Sequence, residues 1–373
     1  MILQLEKFQE SCKSILGAVD TDSALKNVAF GYDTLELEAN GKVLHLNVTN
    51  GEYYVSVSLP LEEEAMLRAV IDAKLFLSLI SKITTKEVEL TTTENALVVK
   101  ANGVYQFPIK YDVDSMIVLP KIDINNATSD FVMSGSTLIS ILNNNSREID
   151  VNANSQAQKL YYLDQEGCIT FTPSSACVNS FSVPTTIKVL LTPKVAKLFK
   201  LFKDGDVRVV LGYEEVNGVA QARISFDQDN VSITAILPND KSLVNSIPVG
   251  AIRARANKTF NFNVSFDKKD VTDAIDRLLL FGATNDLNRG AGIFEFSDTC
   301  VTVYDSKKNN NEVIAYASGN CSENYTATLD LESIRRILST NDSSVFNIKF
   351  GDDQAVVITF GSIKNVISHR VIR

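Results

Sequence analysis

The feature that most constrains this chain is a recurrence. A short strand followed by one amphipathic helix occurs six times. The stretches are LQLEKFQESCKSIL (3–16), RAVIDAKLFLSLISKI (68–83), DFVMSGSTLISILNNN (130–145), KVLLTPKVAKLFKLFK (188–203), FNVSFDKKDVTDAIDRLLLF (262–281) and YTATLDLESIRRIL (325–338). Their starts fall roughly every 60–70 residues, and several strands follow each helix. A fixed period of this size means that one supersecondary unit is used repeatedly and that its copies bury their apolar faces together.

Between the helices the apolar period changes from 3.6 to 2. TLELEA, KVLHLNV, YYVSVSL, EVELTTT, ALVVKA, VRVVLGY, ARISFD, VSITAIL, VFNIKF and AVVITF alternate apolar and polar residues. Such runs, rich in Val, Ile, Thr and Tyr, read as half-buried antiparallel strands. Asn40-Gly41, Asn50-Gly51, Asn102-Gly103 and Asn217-Gly218 supply the positive φ of tight hairpins. The fold class is therefore α+β. The six units pair into thirds: residues 113–129, with Pro120, and 238–258, with Pro238 and Pro248, alternate little and read as linkers. The expected domains are 1–120, 121–248 and 249–373, each with two helices on antiparallel sheet.

Much chemistry is excluded by what the chain lacks. Cys12, Cys168, Cys177, Cys300 and Cys321 are odd in number, scattered, and form no C-x-x-C pair. That argues against a disulfide framework or a structural zinc and for a reducing cytoplasm. His45, at a strand position in KVLHLNV, and His369, four residues from the end, are the only imidazoles, and neither is expected to be catalytic. No G-x-x-x-x-G-K-[ST], H-E-x-x-H or G-x-S-x-G occurs, and Gly290-Ala291-Gly292 leads into a strand instead of opening a helix. Glu62-Glu63-Glu64 reads as a solvated loop. No cofactor, no metal and no enzymatic activity are expected. A carboxylate hydrolase stays an alternative; it requires two acids converging in one pocket. No apolar run reaches the roughly 18–20 residues of a membrane helix, and MILQLEKFQESCK mixes charge into its apolar residues, so neither a membrane partner nor a secretory leader is expected.

Taken as a total, the net charge of −9 over 373 residues argues against a nucleic-acid binder. Its distribution reverses that inference. Residues 6–18, 72–86, 136–147, 193–203, 266–282 and 330–340 together carry +6, which leaves −15 for the remainder. The clearest case is 193–203. Val195, Leu198, Phe199 and Phe202 fall within about 100° of one another on a helical wheel, and Lys194, Lys197, Lys200 and Lys203 fall opposite. One face is built to meet a sheet, the other to meet solvent or phosphate. The helix at 266–282 runs against this trend.

Repeat, length and charge pattern resemble the bacterial sliding clamp, the β subunit of DNA polymerase III, over essentially the whole chain. NVAFGYDTLELEANGKVLHLNVTNGEYYVSVSLP is similar to that family's first half-domain, with Thr49-Asn50-Gly51-Glu52 replacing a threonine–acid–x–acid segment. AVIDAKLFLSLISKI resembles its strand into a helix headed by a basic residue, and LNRGAGIFEF (287–296) its Arg-Gly motif before a strand. Two segments depart. A threonine–aspartate–glycine–histidine–arginine segment is here Thr172-Pro173-Ser174-Ser175-Ala176, and the tail reads Ser368-His369-Arg370-Val371-Ile372-Arg373. The chain resembles a divergent member.

The resemblance implies a DNA-clamp fold of six strand–helix–strands units in three domains, helices on the inner face and antiparallel sheets outside. It implies a processivity factor that closes head to tail as a homodimer around double-stranded DNA, without sequence specificity. It also implies that DNA polymerase and a clamp loader bind by short peptides, and it places the chain in the cytoplasm, at the nucleoid. The implied DNA-facing residues are Lys74, Lys82, Lys194, Lys197, Lys200, Lys203, Arg335 and Arg336. The partner-peptide groove would use Thr172, Ile247, Leu287, Val366, Val371 and Ile372, and the dimer interface Tyr105, Phe107, Leu279, Leu280 and Phe281. The competing reading is a non-enzymatic β-rich scaffold or surface protein that does not encircle DNA; it needs neither evenly spaced helices nor a basic helix face.

Overall fold

Strands dominate, and the helices follow them at the predicted places. The structure is a computed structural model that describes residues 1–20, 33–238, 241–281, 288, 290–351 and 355–371. Eight α-helices occur among these residues: α1 (Leu5–Leu16), α2 (Ala73–Ile80), α3 (Gly135–Ser140), α4 (Pro193–Lys197), α5 (Lys241–Ser246), α6 (Val249–Ala256), α7 (Lys268–Leu279) and α8 (Leu331–Ser339). The chain divides into two compact units, Met1–Ile139 with Lys194–Asn239, and Ser140–Pro193 with Asp240–Arg373.

The first unit holds two larger antiparallel sheets. One has four strands, in the order Ile2–Gln4, Glu87–Thr92, Ala96–Lys100, Val104–Pro108. The other has six, in the order Thr34–Thr49, Tyr53–Asp72, Val231–Ile236, Val219–Gln228, Asp206–Val216, Asn126–Ser134. Phe8 of α1 meets Phe76 of α2 edge to face at 6.2 Å, and Phe199 meets Phe226 of the six-stranded sheet at 5.1 Å. These buried rings join α1 to α2 and fix the turn after α4 to the six-stranded sheet.

The second unit repeats the plan. Its eight-stranded sheet runs Lys188–Leu191, Tyr161–Asp164, Gly167–Phe171, Ser175–Ser180, Ile363–Ser368, Ala355–Phe360, Val345–Phe350, Phe262–Asp267. Its four-stranded sheet runs Asn311–Ala315, Cys300–Asp305, Ala291–Phe296, Tyr325–Asp330. Phe296 stacks on Phe350 at 4.0 Å, within a core that also takes the buried stripes of α7 (Val271, Ala274, Ile275, Leu278) and α8 (Leu331, Ile334, Ile337, Leu338).

One local device recurs where strand becomes helix. Asp72, Asp267 and Asp330 each end a strand, and each accepts a backbone N–H from the helix that follows: from Leu75 at 2.7 Å, Lys269 at 2.8 Å and Ser333 at 2.7 Å. Ser134 caps α3 in the same way through the Thr137 N–H at 3.1 Å. A side-chain oxygen there satisfies a donor that the first turn leaves unpaired.

Three expectations change. The stretch 238–258 is not an open linker: it carries α5 and α6, whose half-buried Leu243, Val244, Val249 and Ile252 cover the apolar sheet face around Ile247. At six and eight residues these helices are too short for periodicity to announce them. The helix after 130 is short and irregular. Beyond Ser140 it widens into a π-turn (Ile141–Asn145) and then tightens (Ser146–Glu148). Asn144 donates to the Ser140 carbonyl at 3.0 Å, a side-chain competitor for helical backbone bonding. Likewise the helix at 193–203 is α-helical only over Pro193–Lys197, with a 3-10 turn over Leu198–Leu201, although its buried and exposed faces are those predicted.

Candidate functional site

The lysine face of α4 and its following turn is real but not uniform. Val195, Leu198, Phe199 and Phe202 are buried, and Lys197, Lys200 and Lys203 are exposed. Gly17 leaves room for the Lys200 stem: a Cβ built there would lie 3.1 Å from Lys200 Cε. Lys194 is half-buried and pairs with Asp20 at 2.9 Å. Lys203 pairs with Glu10 of α1 at 3.0 Å, both ends being exposed, so water screens this contact and a competing anion can replace it. Among the described residues Lys197 and Lys200 have no ion-pair partner, nor do Lys74 and Lys82, which are exposed on and just beyond α2.

The arginines are less available. Arg335 of α8 is exposed and pairs with Asp276 of α7 at 2.6 Å, and Arg336 is exposed and touches the Ser333 hydroxyl at 3.2 Å. Arg147, which supplied the positive charge counted over 136–147, is half-buried and internally bonded, so it adds nothing to a surface field. Lys74, Lys82, Lys197, Lys200, Lys203, Arg335 and Arg336 are thus the exposed cations of the predicted set, Lys203 and Arg335 each in a surface ion pair. Ammonium groups on short helices, with no bidentate fork aimed at a base, suit phosphate contact and not sequence readout.

Two of the predicted groove residues belong to a buried apolar cluster in the second unit. Ile247 and Val366 lie in one buried cluster with Leu160, Tyr162, Ala176 and Val178, and Val366 pairs with Ala176 across the sheet. Thr172 is adjacent. Its hydroxyl lies 2.8 Å from that of Ser175, which in turn donates to the buried Glu148 carboxylate. Val371 is 78% exposed, and Leu287 and Ile372 lie outside the described residues. Half-buried Phe171, Leu243, Val244, Ile252 and Phe260 edge the cluster and were missed from sequence; with α5 and α6 read as linker, nothing marked them. Arg253 secures α6 by two bonds to Asp164, at 2.8 and 2.6 Å. Burial alone would raise the Asp164 pKa, but this fork holds it below its ordinary value.

The predicted interface residues separate into two kinds. Phe107 is 4% exposed and meets Phe76 edge to face at 5.2 Å. It is a core residue of its own chain, which corrects its assignment to an interface; alternation on a five-residue strand does not reveal which face is covered. Tyr105, on the same strand, is half-buried. At the end of α7, Leu279 is half-buried while Leu280 and Phe281 are 81% and 59% exposed, more than a water-facing helix end needs. The strands Val104–Pro108 and Asn311–Ala315 each form a sheet edge and expose Val104 and Val313, which sequence reading did not single out. Unpaired edges with exposed β-branched residues are ready to pair with another strand.

Among the described residues no group of His, Cys, Asp and Glu has metal-binding geometry. No helix is long and apolar enough to cross a membrane. Burial raises the thiol pKa of Cys12, Cys168 and Cys177, which leaves these cysteines inert.

No family model matches the sequence, and no curated protein matches it. Solved structures do. The DNA polymerase III subunit beta from Borrelia burgdorferi, in complex with a natural product, superimposes with a TM-score of 0.82 at 10% identity, over 100% of this chain and 99% of that one. The DNA polymerase sliding clamp from Pseudomonas aeruginosa with ligand gives 0.81 at 13% identity and the same coverage. A sliding clamp from Bartonella birtlesii bound to griselimycin gives 0.79 at 16%, again over 100% and 99%. The chain therefore has the sliding-clamp fold from end to end.

Proposed function

We propose that this protein is a DNA sliding clamp: a non-catalytic processivity factor that encircles duplex DNA and tethers a polymerase to it. The observation that carries the reading is the exposed lysine face at Lys197, Lys200 and Lys203 on an acidic chain with the clamp fold over its full length. Retention on DNA would be topological. Weak phosphate attraction from Lys74, Lys82, Lys197, Lys200, Lys203 and Arg336 is then enough, and an acidic exterior repels DNA from the outside.

In this reading the chain has three clamp domains, 1–120, 121–248 and 249–373, and closes as a head-to-tail homodimer. Tyr105 on its edge strand would meet Leu279, Leu280 and Phe281 of the other copy; a repeated heterologous contact closes into a ring when the rotation permits. DNA polymerase and the clamp loader would bind through short peptides at Thr172, Ile247, Val366 and Val371. The half-buried Phe171, Leu243 and Ile252 would receive apolar side chains of those peptides. The site of action is the cytoplasm, at the nucleoid.

The test is retention on DNA of different topology. Loaded protein is expected to stay on nicked circular DNA and to leave when the circle is linearised. Binding to a short linear duplex is expected to be weak and lost at modest salt. A salt-resistant nanomolar complex with linear duplex would overturn the topological reading, and light scattering that finds only monomer at micromolar concentration would overturn the ring.

A further inference from the structure

The strands of the second unit that carry Ala176 and Val366 are covered on both faces. Side chains alternate along Ser175–Ser180. Cys177 and Asn179 point to the segment that follows α3: Arg147 reaches the Cys177 Sγ at 3.8 Å, and Asn179 donates to the Ser140 hydroxyl at 3.0 Å. Ala176 and Val178 point the other way, into the apolar cluster with Tyr162, Ile247 and Val366. The seam where Ala176 pairs with Val366 lies under α6. That helix packs on Ser175–Ser180 and Ile363–Ser368, with Val249 and Ile252 against the cluster. Ala176 and Val366 are left only 6% and 8% exposed, so an incoming side chain reaches neither while α6 stays in place.

The seat of α6 is shallow. α7 and α8 each bury four apolar residues, whereas α6 buries Ala256 alone and leaves Val249 and Ile252 half-buried. Gly250, a poor helix former, sits inside it with nothing packed close by: a Cβ there would meet no atom within 4 Å. Eight residues do not hold a helix by themselves.

Polar contacts supply the hold that burial does not. Arg253 forks onto Asp164 at 2.8 and 2.6 Å and reaches Glu166 at 3.3 Å. At the carboxyl end of the helix, Lys364 donates to the Asn257 side-chain oxygen. The fork can open without stranding its acceptor. Asp164 keeps the Glu166 backbone N–H at 2.9 Å, and lifting α6 admits water to the carboxylate. A short helix with little buried surface and a polar latch is an element that opens locally while the sheet beneath it stays folded.

We propose that α6 is a latched lid on the partner-peptide groove, and that a peptide gains Ala176 and Val366 only when Arg253 releases Asp164. The inference rests on the reading of this cluster as that groove. Apolar side chains of the peptide replace Val249 and Ile252 on the sheet, and the displaced α6 closes on the peptide through Ile252. Only the open fraction binds, so the lid lowers the affinity of every partner by that fraction, and whatever loosens Arg253 raises it.

The test uses the full chain and a short fluorescent peptide from the C-terminus of the DNA polymerase it serves. Hydrogen exchange, fluorescence anisotropy and photo-cross-linking are the readouts. Amides of 250–257 are expected to exchange at least about a hundredfold faster than those of the buried stripes of α7 and α8, and Arg253→Ala should speed them by about tenfold more. The same variant should bind the peptide about tenfold more tightly. A peptide carrying a photoreactive phenylalanine should cross-link to Ser175–Ser180 and Ile363–Ser368, and its binding should speed exchange at 250–257. If Arg253→Ala disturbs folding, Asn257→Ala, at an exposed position, releases Lys364 and carries the test with a gain in affinity of about twofold. Cross-links to both strands with affinity unchanged in the unlatched variants, or amides of 250–257 as protected as those of α7 and α8, would overturn the lid and leave the groove standing. A peptide that binds and cross-links to neither strand would overturn the groove, and the lid with it.

Discussion

Arg147 donates from Nη2 to the Asn365 side-chain oxygen at 2.7 Å, which ties the segment after α3 to the strand Ile363–Ser368. The same guanidinium reaches the Asn144 carbonyl at 2.8 Å, the Ile337 carbonyl at 2.8 Å and the Thr340 hydroxyl at 2.5 Å. It thereby caps the carboxyl end of α8, where helical carbonyls lack intrahelical partners and a cation is favoured.

Removing this side chain strands several acceptors at once. Arg147→Ala is expected to destabilise the second unit by about 3 kcal/mol, which lowers Tm by roughly 6–12 °C. Arg147→Lys should recover less than half of that, because an ammonium cannot reproduce the planar fork. Thermal melts of the three proteins check it, and a change within about 1 °C of wild type would contradict the network.

Glu148 adds a pH dependence. It is buried, and burial raises its pKa above the ordinary 4.5, outweighing the Ser175 hydrogen bond and the charges of Arg147 and Arg336, which act the other way. An acid with a raised folded-state pKa favours folding while protonated. Its contribution is complete below about 4.5 and is lost as pH rises through the folded-state value. Glu148→Gln keeps an acceptor for Ser175 and stays neutral. Its Tm relative to wild type should therefore climb as pH is raised from about 4.5 toward neutrality. A difference that does not change with pH would mean that folding leaves the Glu148 pKa where it is in the unfolded chain.

Phe107 and Leu280 predict opposite failures. Phe107 is buried against Phe76, so Phe107→Ala should cost about 3–5 kcal/mol of stability in any oligomeric state. Leu280 and Phe281 are exposed, so Leu280→Asp with Phe281→Asp should leave the fold intact and yield a monomer at micromolar concentration. Denaturant melts combined with light scattering separate the two. A dimer that survives the double substitution would remove the end of α7 from the interface.

What was legible in the sequence is what rests on long-range periodicity. The recurrence of strand and helix located six of the eight helices among the described residues, because each of the six follows a strand, in three cases one that ends in a capping aspartate, Asp72, Asp267 or Asp330. The buried and exposed sides of 193–203 were legible for the same reason. What escaped depends on tertiary contact. Whether Phe107 faces a core or a partner is set by Phe76, thirty-one positions away. The charge of Arg147 looks like surface charge until Asn365 and Ile337 are brought to it. The helices over 241–256 depend on the apolar sheet face they cover, and the register shift between Gly41 and Val43 shows only as an Asn-Gly pair that reads equally well as an ordinary hairpin turn.

The lysine face gives the sharpest test of DNA contact, because its members differ in what else they do. Lys197 and Lys200 are exposed and have no ion-pair partner among the described residues, so Lys197→Ala with Lys200→Ala should alter stability by no more than about 0.5 kcal/mol. If both meet phosphate, the slope of log affinity against log salt should shrink by about 0.9 for each lysine removed. Lys194→Ala should behave differently. It takes the ammonium from a largely buried Asp20, so it should lower stability and leave the salt slope nearly unchanged. The measurement is a salt titration of the loaded protein on circular DNA, with thermal melts alongside. A salt slope unchanged in the Lys197, Lys200 double variant would place the DNA on some other face of the chain.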